Sequence, residues 1–155
     1  MALVERDEND LLAEANRMDF ASAGLRAVNL MSSPGAGKTA LLRETLLRIG
    51  TRGRIGIVEG DIETSRDADR LEGLGASVVL VNASNGLRGE RHLDAAMVPS
   101  ALLRLPLTVL DLLLIDSPGN LLWPDEFSVG EDARATVYAV TDGEEQPLKY
   151  PVMFR

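Results

Sequence analysis

Apolar residues recur at helical spacing near the start of the chain, where Leu11, Leu12, Ala15 and Met18 fall on one stripe with carboxylates between them. That spacing predicts an amphipathic helix of about three turns over 7–20, its acidic face in solvent. The period then changes. Arg26-Ala27-Val28-Asn29-Leu30-Met31 reads as a short buried strand and runs into the turn-rich Ser32-Ser33-Pro34-Gly35-Ala36-Gly37. Over 38–49 the helical stripe returns at Leu41, Leu42, Thr45, Leu46 and Ile49. The same alternation predicts a strand at 54–59, a helix at 64–74 closed by Gly75, and a strand at 77–81. A loop at 82–90, a helix at 92–103, a strand at 110–115, a loop at 116–120 and a strand near 135–141 follow. The stretch 147–155 is neither clean helix nor clean strand.

Strands that alternate with helices imply an α/β fold in three layers, a mainly parallel sheet covered on both faces. With 155 residues the chain has the size of one domain. The reading divides it into an N-terminal helix and connection, 1–24, and an α/β domain, 25–155.

Composition narrows the functions. Asp and Glu number 24 against 16 Lys and Arg, a net charge of -8, which disfavours a general electrostatic grip on nucleic acid or anionic membrane. The absence of cysteine excludes disulfides, thiolate nucleophiles and zinc fingers. Six acids among the first twenty residues do not fit a secretory leader. The apolar run at 110–115, broken by Asp111, is far shorter than the roughly 20 residues that span a bilayer, so a cytoplasmic protein is expected. Of the 16 basic residues 14 are Arg, and the two lysines are Lys38 and Lys149.

Lys38 sits where chemistry is expected. Ligands of parallel α/β domains bind beyond the carboxyl ends of the strands, and the first such loop is Ser33-Pro34-Gly35-Ala36-Gly37-Lys38-Thr39. Backbone N–H groups of a glycine loop wrap an anion, and the following helix adds about half a positive charge. In this reading Gly35, Ala36 and Gly37 cradle phosphates, Lys38 reaches the β- and γ-phosphates, and Thr39 ligates Mg²⁺. The strict pattern G-x-x-x-x-G-K-[ST] has Gly first, where this chain has Ser32. A second acid is needed to hold Mg²⁺ or position water, and two follow strands: Asp61 in Glu59-Gly60-Asp61, and Asp116 in Asp116-Ser117-Pro118-Gly119, where the Gly119 N–H would meet a γ-phosphate. Either acid could instead cap the next helix.

A longer series resembles a known family. The loop Ser32-Ser33-Pro34-Gly35-Ala36-Gly37-Lys38-Thr39, with Glu59-Gly60-Asp61, His92-Leu93-Asp94-Ala95, Gly119-Asn120-Leu121, Gly130-Glu131-Asp132 and Pro147-Leu148-Lys149-Tyr150-Pro151, is similar to the HypB hydrogenase nickel incorporation proteins. Ser at the first loop position agrees with that family. The resemblance implies a P-loop GTPase that binds GTP or GDP with Mg²⁺, dimerises around nucleotide, and works with a maturation partner to deliver nickel to the [NiFe] hydrogenase large subunit. It assigns phosphates and Mg²⁺ to Gly35 through Thr39, metal and attacking water to Asp61 and Asp116, and nucleotide or the dimer interface to Lys149.

Three departures stand beside it. Arg91 and Trp123 occupy positions where the family has cysteines, so His92, near Glu90 and Asp94, is left as a weak candidate for Ni²⁺ or Zn²⁺. Asp116 replaces the family's Glu. No N-K-x-D guanine-reading motif occurs, because the match stops at Phe154-Arg155 before that loop, which reads as a C-terminally incomplete domain. Two alternatives follow: a truncated paralogue serving as a non-catalytic dimerisation or docking module, and an accessory GTPase for another nickel enzyme such as urease.

Overall fold

The computed structural model describes residues 2–49, 53–60, 65–82, 93–118, 128–149 and 151. Its centre is a set of short strands too buried to be anything but interior. β1 is Arg26–Ser32, β2 Ile55–Glu59, β3 Ser77–Leu80, β4 Leu112–Asp116 and β5 Ala133–Val137. All five residues of β2 are buried, as expected of a strand covered on both faces. The strands form one sheet in the order β3-β2-β4-β1-β5, and every pairing is parallel.

Parallel neighbours need crossovers, and helices supply them. α1 (Ala2–Ser22) precedes β1, α2 (Lys38–Ile49) joins β1 to β2, and α3 (Ser65–Glu72) joins β2 to β3. α4 (Val98–Leu102) lies between β3 and β4, and α5 (Gln146–Lys149) follows β5. Because side chains alternate along a strand, the sheet builds two cores. Leu113 and Ile115 of β4 pack with Phe20 of α1 and with Val98 and Leu102 of α4, whereas Leu114 faces Leu42 and Leu46 of α2 and Leu71 of α3. Each fully buried leucine contributes about 1.5–3 kcal/mol. Two helical layers sandwich the sheet, which is the three-layer α/β arrangement expected from the sequence.

α1 is fastened by polar contacts as well as by Phe20. Asn9 and Asn16, seven residues apart and so on one face, are both buried. The Asn9 amide donates to Ser128 O at 2.8 Å, and its Oδ1 accepts from Ala95 N at 3.0 Å. The Asn16 amide donates to Ala95 O at 2.9 Å and Val129 O at 3.1 Å. A Cβ at Gly130 would lie 2.6 Å from Ala13 O, and the residue has φ +98°, so this turn needs glycine on both counts. The acid after it holds the turn from within. Glu131 accepts from Val129 N at 2.8 Å and Ser128 Oγ at 3.0 Å, and pairs with Arg134. Burial pushes the Glu131 carboxyl up, but the Arg134 hydrogen bond and charge and the backbone donors outweigh it, leaving the group below its ordinary value.

Some boundaries differ from the sequence reading. α1 runs the full Ala2–Ser22, and β4 starts two residues later than 110. α4 begins at Val98 where a helix from 92 was expected. Pro99 has no N–H and its ring would strike a carbonyl one turn back, so it is tolerated only in a first turn, where it stands. β5 covers Ala133–Val137 in place of 135–141, because its partner β1 ends at Ser32, opposite Val137. Beyond that point no strand among the described residues continues the ladder, and Val140–Asp142 turns into a 3-10 helix. Among the described residues no helix is long and apolar enough to cross a membrane.

Candidate functional site

The strand order places the carboxyl ends of β2, β4 and β1 side by side. Asp116 ends β4 in register with Leu30 of β1 on one side and with Glu59, the last residue of β2, on the other. Backbone bonds carry the register past the strand ends, from Ser117 N to Leu30 O at 3.1 Å and from Gly60 N to Asp116 O at 2.9 Å. Asp116 therefore belongs to the strand, one residue before the loop in which the sequence reading put it.

Between β1 and α2 the chain turns through 33–37. Gly35 has φ +78° and Gly37 φ +102°, both in the left-handed region. A Cβ at either would meet nothing within 4 Å, so glycine is demanded by backbone conformation and not by space. Leu41 N bonds to Gly37 O at 2.9 Å, and α2 starts at Lys38. The first N–H groups of any α-helix lack intrahelical acceptors, and here they open on the loop.

Lys38 turns inward. Its side chain is 9% exposed; Nζ donates to Ser32 Oγ at 3.2 Å and lies 3.4 Å from Asp116 Oδ1, itself on a 3% exposed side chain. Ser32 Oγ in turn donates to Ser33 O at 2.7 Å. The serine at the loop's first position thus supplies an oxygen that a glycine lacks, and it holds the ammonium in place. Ser117 Oγ donates to buried Asn29 Oδ1 at 2.7 Å, fixing the turn after Asp116. Thr39, half-buried, lines a cavity of about 360 Å³ between α2 and α3 with Ala40, Arg43, Arg70 and Leu71.

Gly35, Ala36, Gly37, Lys38, Thr39 and Asp116 are therefore gathered at one end of the sheet. Lys149 is elsewhere in its contacts: it is exposed on α5, with Nζ 3.7 Å from Glu145 one turn earlier. Asp61, His92 and Gly119 lie outside the described residues. Two acids at the site were not singled out from the sequence. Glu59 is 5% exposed beside Asp116, and Asp142 accepts a hydrogen bond from Ser33 Oγ at 2.5 Å. The signal available for both was the one used for Asp116, an acid at or just beyond a strand's carboxyl end.

Among the described residues no three or more His, Cys, Asp or Glu side chains converge to hold a metal ion. Mg²⁺ is a hard cation that takes one or two protein oxygens together with substrate phosphates. The Thr39 hydroxyl and the buried Asp116 carboxylate are donors of that type.

Comparison with known proteins agrees with the fold. Residues 26–143 match the family described as CobW/HypB/UreG, nucleotide-binding domain. The hydrogenase maturation factor HypB of Escherichia coli K12 is 45% identical over 148 residues, covering 96% of this chain and 50% of the relative. The hydrogenase/urease maturation factor HypB of Helicobacter hepaticus is 36% identical over 95% of this chain and 60% of its own length. The chain thus spans about half the length of several curated relatives it matches. Among solved structures, HypB from Archaeoglobus fulgidus superposes with a TM-score of 0.86 at 37% identity, covering 96% of this chain and 70% of that one. HypB from Helicobacter pylori, solved in complex with nickel, gives 0.85 at 34% identity, with 95% and 67% covered. The chain belongs to the CobW/HypB/UreG family of nucleotide-binding domains.

Proposed function

We propose that the chain binds GTP with Mg²⁺ in the loop 32–39 and hydrolyses it to GDP and phosphate, as a cytoplasmic accessory protein for nickel insertion during [NiFe] hydrogenase maturation. The observation that carries this reading is the buried Lys38–Asp116 pair at the base of a glycine loop that opens a helix. An ammonium and a carboxylate are costly to bury, and a phosphate site gives each a task. The backbone N–H groups of Gly35, Ala36, Gly37 and Lys38 hold the β- and γ-phosphates, and the Lys38 ammonium offsets their charge. Magnesium, when bound to Thr39 and Asp116 with the nucleotide, supplies further neutralisation of the phosphate oxygens. Asp116 and Asp61 orient water for attack on the γ-phosphorus, the bond to the β–γ bridging oxygen breaks, and the role given to Gly119 is to donate its N–H to the γ-phosphate.

The hydrogenase client rests on the names of the relatives, and nickel on the Helicobacter pylori HypB solved in complex with it. With no cysteine in the chain, nickel would meet His92 and oxygen donors in place of thiolates. Nucleotide-dependent pairing of two copies, with Lys149 at the interface, belongs to the same reading. The Helicobacter hepaticus relative, named for both enzymes, favours urease as a second client.

Phosphate release from GTP tests the activity. Release that disappears in Lys38→Ala is expected; release at the same rate in that variant overturns the assignment of the site.

A further inference from the structure

We propose that Asp142 is a positioning residue for the phosphate loop, holding it through Ser33 and tying it to the segment that carries Lys149. This rests on the nucleotide reading above and goes beyond the loop's own residues. β1 and β5 end together, Ser32 opposite Val137, so the stretches that leave them run side by side. Ser33 is one residue past β1 and Asp142 five past β5, and across that gap Ser33 Oγ donates to Asp142 Oδ2 at 2.5 Å. Ser33 is 9% exposed and Asp142 half-buried, so the bond is partly shielded from competing water.

The carboxylate is itself held. Ala139 N donates to the same Oδ2 at 3.2 Å, and Asp142 N donates to Ala139 O at 2.9 Å, closing the 3-10 turn Val140–Asp142. Ser33 contributes its backbone to the loop as well. Its carbonyl accepts from Ala36 N at 3.2 Å and from Ser32 Oγ at 2.7 Å, and Ser32 Oγ accepts from Lys38 Nζ. A continuous chain of hydrogen bonds therefore runs from Asp142 through Ser33 and Ser32 to the buried lysine. Anchoring Ser33 fixes the first turn of the loop before any anion arrives, which lowers the cost of ordering the N–H groups on binding. Four residues after Asp142, α5 begins, and Lys149 is its last residue.

The role depends on an acceptor oxygen and not on negative charge, which beside a phosphate would be unfavourable. Asp142→Asn keeps an acceptor in the same place; Asp142→Ala removes it. Binding of a fluorescent GDP is measured for wild type, Ser33→Ala, Asp142→Ala, Asp142→Asn and the Ser33→Ala/Asp142→Ala pair. Each alanine variant is expected to weaken binding about tenfold, the pair no more than either alone, and Asp142→Asn to stay near wild type. Amide exchange over 35–38 without nucleotide is measured in parallel, where Asp142→Ala is expected to speed exchange and Asp142→Asn is not. Unchanged exchange in Asp142→Ala, additive losses, or an asparagine variant as weak as the alanine one overturns the proposal. Exchange that responds as expected in a wild-type chain that binds no nucleotide upholds the Asp142 anchor and overturns the nucleotide reading alone.

Discussion

Nζ of Lys38, the first residue of α2, lies 3.4 Å from Oδ1 of Asp116, the last residue of β4, with both side chains buried. An ion pair in that position is a liability to a fold unless something uses it. Removing one partner leaves the other buried and uncompensated, so Lys38→Ala is expected to destabilise the chain by about 3 kcal/mol. Lys38→Met/Asp116→Leu, which removes both charges, is expected to regain most of that loss while remaining unable to bind nucleotide. Urea unfolding of the wild type and the two variants checks it; a double variant no more stable than Lys38→Ala contradicts it.

Gly130 and Gly143 separate two reasons for glycine. Both have positive φ, +98° and +84°, but a Cβ at Gly130 would strike Ala13 O, whereas at Gly143 it meets nothing within 4 Å. Gly130→Ala is expected to cost about 3 kcal/mol, from overpacking and strain together. Gly143→Ala should cost about 1 kcal/mol, from conformation alone. Equal losses in thermal unfolding would contradict the close packing of α1 on the 128–131 turn.

Asn16 joins α1 to two loops at once. Asn16→Ala leaves Ala95 O and Val129 O without that donor, and about 2–3 kcal/mol of stability should go with it. Asn16→Asp, which cannot donate from its carboxylate, should be no better. Hydrogen exchange is the check: faster exchange at Ala95 and over 129–131 is expected, and unchanged protection there would contradict the clamp.

Acid should loosen the chain at defined carboxylates. Asp111 is exposed and held at about 2 by the Arg54 side-chain hydrogen bonds, backbone bond and charge, and Glu131 is held below its ordinary 4.5. In both cases the unfolded chain binds more protons than the folded one. The stabilisation is therefore complete above the unfolded values and is lost as pH falls through the folded ones. For Asp111 that window runs from 3.8 down to about 2. The melting temperature is expected to fall on acidification below about pH 4.5, and to fall less steeply in Glu131→Gln. An identical slope in the variant would contradict the role given to Glu131.

The sequence was most legible where signals were local. α2 was expected over 38–49 and is Lys38–Ile49, because its apolar stripe and the glycine loop before it mark both ends. Lys38 and Asp116 were named from residue type and place after a strand, and they meet. What sequence spacing missed depends on distant pairing. β5 ends where β1 ends, and α4 starts where Pro99 permits. Asp142 reaches Ser33, 109 residues away, only because β5 docks beside β1. The stripe expected for α1, Leu11, Leu12, Ala15 and Met18, is exposed, and the buried face carries Asn9 and Asn16 instead, since nothing within α1 tells of the loops they clasp. Asp61, His92 and Gly119 lie outside the described residues, so their roles stand on sequence pattern alone.

A nucleotide site at the loop 32–39 is tested most directly by isothermal titration of GTP, GDP and ATP, each with Mg²⁺, into the wild-type chain and Lys38→Ala. Saturable binding of GTP and GDP at a single site, lost in the variant, is the expected result. No binding of any of the three to the folded wild-type chain would contradict it.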